Sequence, residues 1–412
     1  MAATLLMQVS DIELAEAVGA DDGGLWLTAA DLEEATGWVL KPEGLCREDA
    51  CVPLPPDGSW QDDEGRVDVV AFMERMGRPV VSDPAHGLWA IGETAQAGGP
   101  GEDGGEEGDA VRAPDFTLPD IDGTPRSLSE LRGRKVLLLS WGSYCGCSFD
   151  LPAWQAVYED LHDDGLEIMA VAFDTAGTQA VQDRIRPADL DAQPDVIRRL
   201  RGWSEAQWAR RATPSFPCVI DEEHRVAAMY GMTNVPMCVW IDEEGRIVRP
   251  SEPAGVSDHF RSMDPESFEI PDTDADRLEA NRRLYLEALQ DWVRRGAESE
   301  FALAPDEVRR RMRRPSEDEV RAALHARIAH RLYRGGDPDD ARRHLDRAVE
   351  LCPDAWTYRR QAMVLDPDTV GDLNVSPGYW AAMDALGRDE FYPPVDLPGF
   401  KDGADYQRGA AG

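Results

Sequence analysis

The chain has 412 residues, more than one ordinary domain holds, and a hydrophobic content of 42% is enough to build packed cores. Its net charge of -36 rests on 79 acidic residues against 43 lysines and arginines, and the only lysines are Lys41, Lys135 and Lys401. Such a surface repels nucleic acid and anionic membrane, so neither is expected as a partner, and it fits equally a salt-rich cytoplasm, in which screening relieves self-repulsion, and an acidic protein from a GC-rich genome.

Residues 1–20 lack a basic leader and carry Asp11, Glu13 and Glu16, which does not read as a signal peptide. No stretch reaches transmembrane length, and the expected location is cytoplasmic. Seven cysteines in that setting suggest thiols, catalysis or metal rather than a disulfide framework. Residues 1–93 are expected to form a small α+β domain. Ser10 and Glu13 have capping-box spacing and predict a helix start, Thr28 and Asp31 predict a second, and 68–76 predicts a third with Val69, Phe72, Met73 and Met76 on one side. Between them, 44–53 reads as a turn joining short strands and carries Cys46 and Cys51. That pair is open to three readings: a structural turn, a redox relay, or half of a zinc site, the last lacking a second cysteine pair or paired histidines nearby. Residues 94–112, with a run of glycine and acid at 98–108, read as a flexible, self-repelling linker.

Residues 136–141 are apolar and predict a buried strand, and 151–161 carry Trp154, Val157, Tyr158 and Leu161 at helical spacing. Between the two lies Cys145-Gly146-Cys147. A sulfur at a helix N-terminus meets free N–H groups and the positive end of the helix dipole, and both favour the nucleophilic thiolate. The pair therefore points to redox chemistry, with two buried structural cysteines as the bland alternative. Residues 175–213 read as an insertion with helical pieces at 196–202 and 205–211; its Trp203 and Trp208 either shape a substrate groove or pack the insertion onto a sheet. Residues 256–400 are expected to be helical, with Tyr285, Leu289 and Trp292 on one face. His325, Ile328, Ala329, Leu332, Ala341, Leu345, Ala348 and Pro353 follow the spacing of one tetratricopeptide-like hairpin turning at 335–337. One such unit cannot bury its own face, so it must dock on neighbouring helices or on the redox domain, or support a homo-oligomer. Residues 401–412 read as a disordered tail.

The run from Trp141 through Cys145 and Cys147 to Pro152 resembles the active site of the thioredoxin-like superfamily, in the redoxin and thiol–disulfide reductase branch (the alkyl hydroperoxide reductase/thiol-specific antioxidant type). Trp141 stands at the family's leading tryptophan and Pro152 at its helix proline. Residues 113–133 resemble the family's opening hairpin, 166–174 its second parallel strand, 234–236 its cis-proline loop and 239–248 its closing hairpin, together about a third of the chain. The resemblance implies an α/β domain over 113–255, with a mixed sheet flanked by helices, between the small α+β domain and an all-α C-terminal domain. It also implies thiol–disulfide exchange. Cys145 would be the exposed attacking thiolate, Cys147 the resolving thiol and Asp150 the proton shuttle. Trp141 and Tyr144 would form an apolar rim, Gly146 the turn, and Val235 and Pro236 would flank the sulfurs and offer backbone groups to an extended substrate peptide. No cofactor is implied beyond the redox-active disulfide; the implied partners are a protein or small-molecule disulfide, or a peroxide, and a thiol electron donor.

Two departures bear on this. The family has two residues between its cysteines and this chain has one; positions i and i+2 do not face each other on a helix, so a disulfide needs a non-helical turn, which Gly146 permits. Leu139 stands where many thioredoxins carry a buried acid, leaving proton transfer to Asp150 or water. A thiol peroxidase is the runner-up, but relatives of that kind need Thr or Ser three residues before the reactive cysteine, where this chain has Gly142 (before Cys145) and Tyr144 (before Cys147). A copper or zinc site would add Cys238 and His224 to the pair, although Cys238 is expected to point into the sheet with Cys218. Cys352 reads as core, and the histidines show no ligand or triad spacing. A non-enzymatic scaffold is the last reading, and the retained cysteine pair and Pro236 count against it.

Overall fold

The structure, a computed structural model, describes residues 3–7, 11–15, 17–20, 23–93, 110–191, 193–312, 314–366, 376–387 and 390–400. The expected linker, but for 110–112, and the expected tail lie outside them. The chain forms two compact units, 1–99 with 314–353, and 100–313 with 354–412. Among the described residues no helix is long and apolar enough to cross a membrane.

The first unit is built on a four-stranded sheet in the order Asp11–Leu14, Ala3–Leu6, Leu88–Ile91, Val80–Asp83, in which Ala3–Leu6 and Leu88–Ile91 run parallel. The helix expected to start at Ser10 is not formed: Asp11–Leu14 is a strand, because antiparallel pairing with the fully buried Ala3–Leu6 outweighs local capping. The other two helices are present. Thr28 caps Ala29–Thr36 by accepting from the Asp31 amide, and Asp68 caps Val69–Arg75 by accepting from the Val70 and Ala71 amides. Cys46 and Cys51 face each other across the hairpin Gly44–Arg47/Ala50–Val52 and form a disulfide.

The tetratricopeptide-like pair is also formed, as Glu317–Gly335 and Pro338–Leu351, with Gly336 left-handed between them. Its place differs from expectation. The pair belongs to this first unit and not to a continuous 256–400 helical domain. Glu317–Gly335 lies against Val80–Asp83 and Leu88–Ile91, where Arg321 donates to the Val80 carbonyl and Arg327 reaches the Met7 carbonyl and Asp11. The apolar face that needed a partner is covered by the unit's own sheet, which removes the reason for expecting a homo-oligomer through it.

The second unit holds a five-stranded sheet in the order Cys218–Ile220, Leu166–Ala172, Lys135–Trp141, Met237–Ile241, Ile247–Pro253. The first three are parallel and the last two antiparallel. Every residue of Lys135–Trp141 and Leu166–Ala172 is buried, which is why these strands read as near-continuous apolar runs rather than alternating ones. The insertion supplies Thr178–Ile185, Asp195–Arg201 and Glu205–Ala209. The helix Asp272–Arg295 buries Tyr285, Leu289 and Trp292, with Trp292 stacked on Trp240 at 5.0 Å and the Tyr285 hydroxyl accepting from Trp240 Nε1 at 2.6 Å. Gly202 ends Asp195–Arg201 at φ 70°, and a Cβ there would lie 2.4 Å from the Leu278 carbonyl oxygen, so glycine lets this helix close on Asp272–Arg295.

Candidate active site

The central strand Lys135–Trp141 ends where the chain turns through 142–145 into a 3₁₀ turn, Gly146–Asp150, and the helix Leu151–Leu161, with Pro152 in that helix's first turn. Cys145 is extended, at φ -108° and ψ 140°, and caps the turn: its sulfur accepts from the Cys147 amide at 3.2 Å. Cys145 is buried, 4% exposed, and not the exposed thiol expected; the Val235 carbonyl lies against it, and Arg360, Tyr379 and Tyr392 of the C-terminal segment line the same cavity. Gly146 is not left-handed, so the reduced turn does not use the conformational freedom of glycine.

Burial alone would raise the Cys145 thiol. The Cys147 thiol that hydrogen-bonds to it, the Arg360 and Arg201 guanidiniums and the Cys147 amide outweigh that penalty and hold Cys145 below the ordinary thiol range. Burial and the adjacent Cys145 charge push Cys147 the other way, well up. The two thiols are thus split into a thiolate and a protonated partner.

Asp150, three residues past Cys147, is engaged by buried donors. It is 1% exposed and accepts from Arg201 Nε and Nη2, Arg282 Nη2 and Trp203 Nε1 at 2.7 to 3.2 Å. Arg282 in turn lies over Trp203 at 4.5 Å, and Trp154 meets Trp203 edge-on at 5.4 Å. Trp203 is therefore core, as is Trp208, and neither lines a groove. The buried acid available to the site is Asp174, just past Leu166–Ala172, which accepts from the amide of Ser143 at 2.8 Å and from its hydroxyl. Burial, opposed by these bonds and joined by the Cys145 charge, pushes Asp174 up to about 7. Its sequence signal was present, an acid directly after a buried strand, but the contact with the loop before Cys145 depends on parallel pairing that local pattern does not reveal.

The Val235–Pro236 peptide is cis, and the Cys145 sulfur lies 3.8 Å from the Val235 carbonyl oxygen. That carbonyl is not open to a substrate strand: Tyr392 Oη donates to it at 2.9 Å and Arg360 Nη1 at 3.4 Å. Trp141 and Tyr144 are buried and do not form the rim. A cavity of about 270 Å³ opens instead against Cys145 and Gly146, walled by Phe149, Ile197, Leu200 and Phe260 among others. At the peroxidase threonine position, a Cβ on Gly142 would come within 2.7 Å of the Tyr144 ring, so no hydroxyl side chain fits while that ring stays. Cys238 hydrogen-bonds to Tyr285 Oη and His224 stacks on Phe173, and among the described residues neither joins a metal-ligand cluster with the cysteine pair. The one such cluster, Glu43 with Cys46 and Cys51, has its sulfurs joined to each other.

The sequence model of the AhpC/TSA family matches residues 110–249. Over 158 residues the chain is 26% identical to the thiol-disulfide oxidoreductase ResA of Geobacillus thermodenitrificans, covering 37% of this chain and 76% of the relative. Over 139 residues it is 30% identical to the ResA of Halalkalibacterium halodurans, covering 34% of this chain and 65% of that relative. Among solved structures, the thioredoxin domain of a thiol-disulfide oxidoreductase from Bacteroides vulgatus aligns at 21% identity and a TM-score of 0.26, covering 35% of this chain and 87% of that one. Residues 110–249 match the AhpC/TSA family, and this part of the chain is similar to thiol–disulfide oxidoreductases.

Proposed function

We propose that this protein is a thiol–disulfide oxidoreductase in which Cys145 attacks and Cys147 resolves. The observation that carries the proposal is the split of the two thiols, with the Cys145 sulfur on the Cys147 amide and near two buried guanidiniums. The thiolate attacks one sulfur of the substrate disulfide and expels the other as a thiolate. Once Cys145 is in the mixed disulfide, its charge and its hydrogen bond no longer hold the Cys147 proton, leaving burial as the main restraint. Cys147 then loses its proton, with Asp174 as the proposed acceptor, and attacks Cys145 Sγ; the second substrate thiol leaves and the Cys145–Cys147 disulfide forms. A thiol donor returns the pair to the reduced state.

The test uses the full chain, because cutting it at 255 would remove Arg360, Tyr392 and the helix that carries Tyr285 and Trp292. Reduction of a model disulfide is followed for the protein and for Cys145→Ser and Cys147→Ser, with peroxide consumption measured in parallel. Disulfide turnover is expected to vanish in both variants, and only Cys147→Ser is expected to trap a mixed disulfide visible by mass. Peroxide consumption without disulfide turnover would replace this reading with the peroxidase.

A further inference from the structure

The cavity beside Cys145 has apolar walls from Phe149, Ile197, Leu200, Phe260 and Met263, and the charged residues lining it are Arg201 and Arg360. Arg201 is paired with Asp150, whereas Arg360 has no carboxylate partner among the described residues. Arg360 is 1% exposed. Its Nη1 donates to Asn234 Oδ1 and the Val235 carbonyl, while its Nε and Nη2 have no acceptor among the described residues. It lies beside the Tyr144 and Tyr379 rings, at 5.1 Å and 5.6 Å. The Cys145 thiolate offers it an opposite charge but takes no hydrogen bond from it. A buried guanidinium with two idle nitrogens, three N–H groups in all, is costly unless something else supplies the acceptor.

Access to the site is also limited. The backbone group that an extended peptide would pair with is already bonded to Tyr392 and Arg360. The segment carrying Tyr392 is held in place, since Asp258 accepts from the Phe391 and Tyr392 amides at 2.8 and 2.9 Å and Phe391 O accepts from Asn234 Nδ2 at 3.0 Å.

We infer that the substrate is a small organic disulfide with apolar substituents and a carboxylate, taken whole into this cavity with its carboxylate on Arg360, and not a segment of another protein. The inference rests on the oxidoreductase reading of the cysteine pair. A cavity of about 270 Å³ suits a compact ligand of this kind. Two electrons pass from the two cysteine sulfurs to the substrate, its S–S bond breaks, the Cys145–Cys147 bond forms, and one half leaves as a thiolate while the other takes up the proton released by Cys147.

The experiment offers the reduced full-length protein three disulfides: diphenyl disulfide, its dicarboxylated analogue, and insulin. The dicarboxylate is expected to be reduced with a kcat/KM about tenfold or more above the neutral compound, as a charge-assisted hydrogen bond in a buried site supplies, and insulin to be left largely oxidised. Arg360→Gln is expected to erase the preference between the two small disulfides; because it also weakens the thiolate towards both, the ratio is the readout. Ile197→Trp, which fills the cavity, is expected to raise KM for both small disulfides while the ultraviolet titration of the thiolate stays in place. Insulin reduced as readily as the dicarboxylate, or an unchanged preference in Arg360→Gln, would overturn the inference and leave the oxidoreductase standing. No disulfide reduced at all would instead remove the oxidoreductase reading beneath it.

Discussion

Two buried carboxylates near the cysteine pair have opposite surroundings, and their variants should behave oppositely. Asp150 compensates Arg201 and Arg282, so Asp150→Asn leaves two buried guanidiniums short of charge. It is expected to lower stability by about 3–5 kcal/mol in denaturant unfolding. Asp174 is pushed up to about 7, chiefly by burial, so as pH falls through 7 it becomes protonated and can no longer take the Cys147 proton. Turnover is expected to fall along that limb, and Asp174→Asn to flatten it. The effect on stability has its own sign: a carboxyl raised in the folded state disfavours folding as pH climbs through its folded value, so the same variant is expected to gain stability on the alkaline side. Stability curves and pH–rate profiles of the two variants check both statements. The sequence pointed to Asp150 because it is three residues from Cys147, yet proximity along the chain says nothing about Arg201 and Arg282, which reach it from 51 and 132 residues away.

At the scale of elements, what the sequence makes legible is what local periodicity controls. The apolar run before Cys145, the site helix, the capped helices after Thr28 and Asp68, and the tetratricopeptide-like pair were all readable, because each has its own repeat and end signals. Partners were not readable. The hairpin pattern announces an apolar face that needs covering but not which sheet covers it, and the capping-box spacing at Ser10 yields to a strand that pairs with Ala3–Leu6, itself paired with Leu88–Ile91. The same long-range closure assembles a network that histidine spacing could not reveal: His325 Nδ1 meets His344 Nδ1 at 2.9 Å, His344 Nε2 meets Asp83 at 3.3 Å, and His86 bridges Asp83 and Asp340 at 2.9 Å each. Burial, then the neighbouring His344, Arg347 and Arg321, lowers His325 to about 4, and burial lowers His344 as well. As pH falls below the unfolded histidine value, the unfolded chain takes protons that the folded unit refuses, so stability is lost from about pH 6.5 downward. Protection factors of amides in Glu317–Gly335 and Pro338–Leu351, corrected for intrinsic exchange, are expected to fall between neutral and mildly acid pH, and His325→Gln to blunt that change; protection factors insensitive to pH in this window would count against the network.

For the whole molecule, the net charge of -36 is the dominant long-range term. Raising salt from about 0.1 M to about 1 M shortens the screening length from about 10 Å to about 3 Å and relieves repulsion among the acidic groups. A thermal midpoint several degrees higher in high salt is expected, and a flat or falling midpoint would mean that the charge is already offset by local pairing.

The cover over Cys145 has a bearing on how the protein is made. The groups closing on Val235 arrive late: Arg360 lies 125 residues after it and Tyr392 157 residues after it. Synthesis runs from the N-terminus at a few residues per second, so the cysteine pair leaves the ribosome well before its guanidinium and its tyrosine cap exist. For that interval the nascent thiols are open to any passing disulfide or oxidant, and a message truncated before Arg360 would release a chain that carries reactive sulfurs without the means of choosing what they react with.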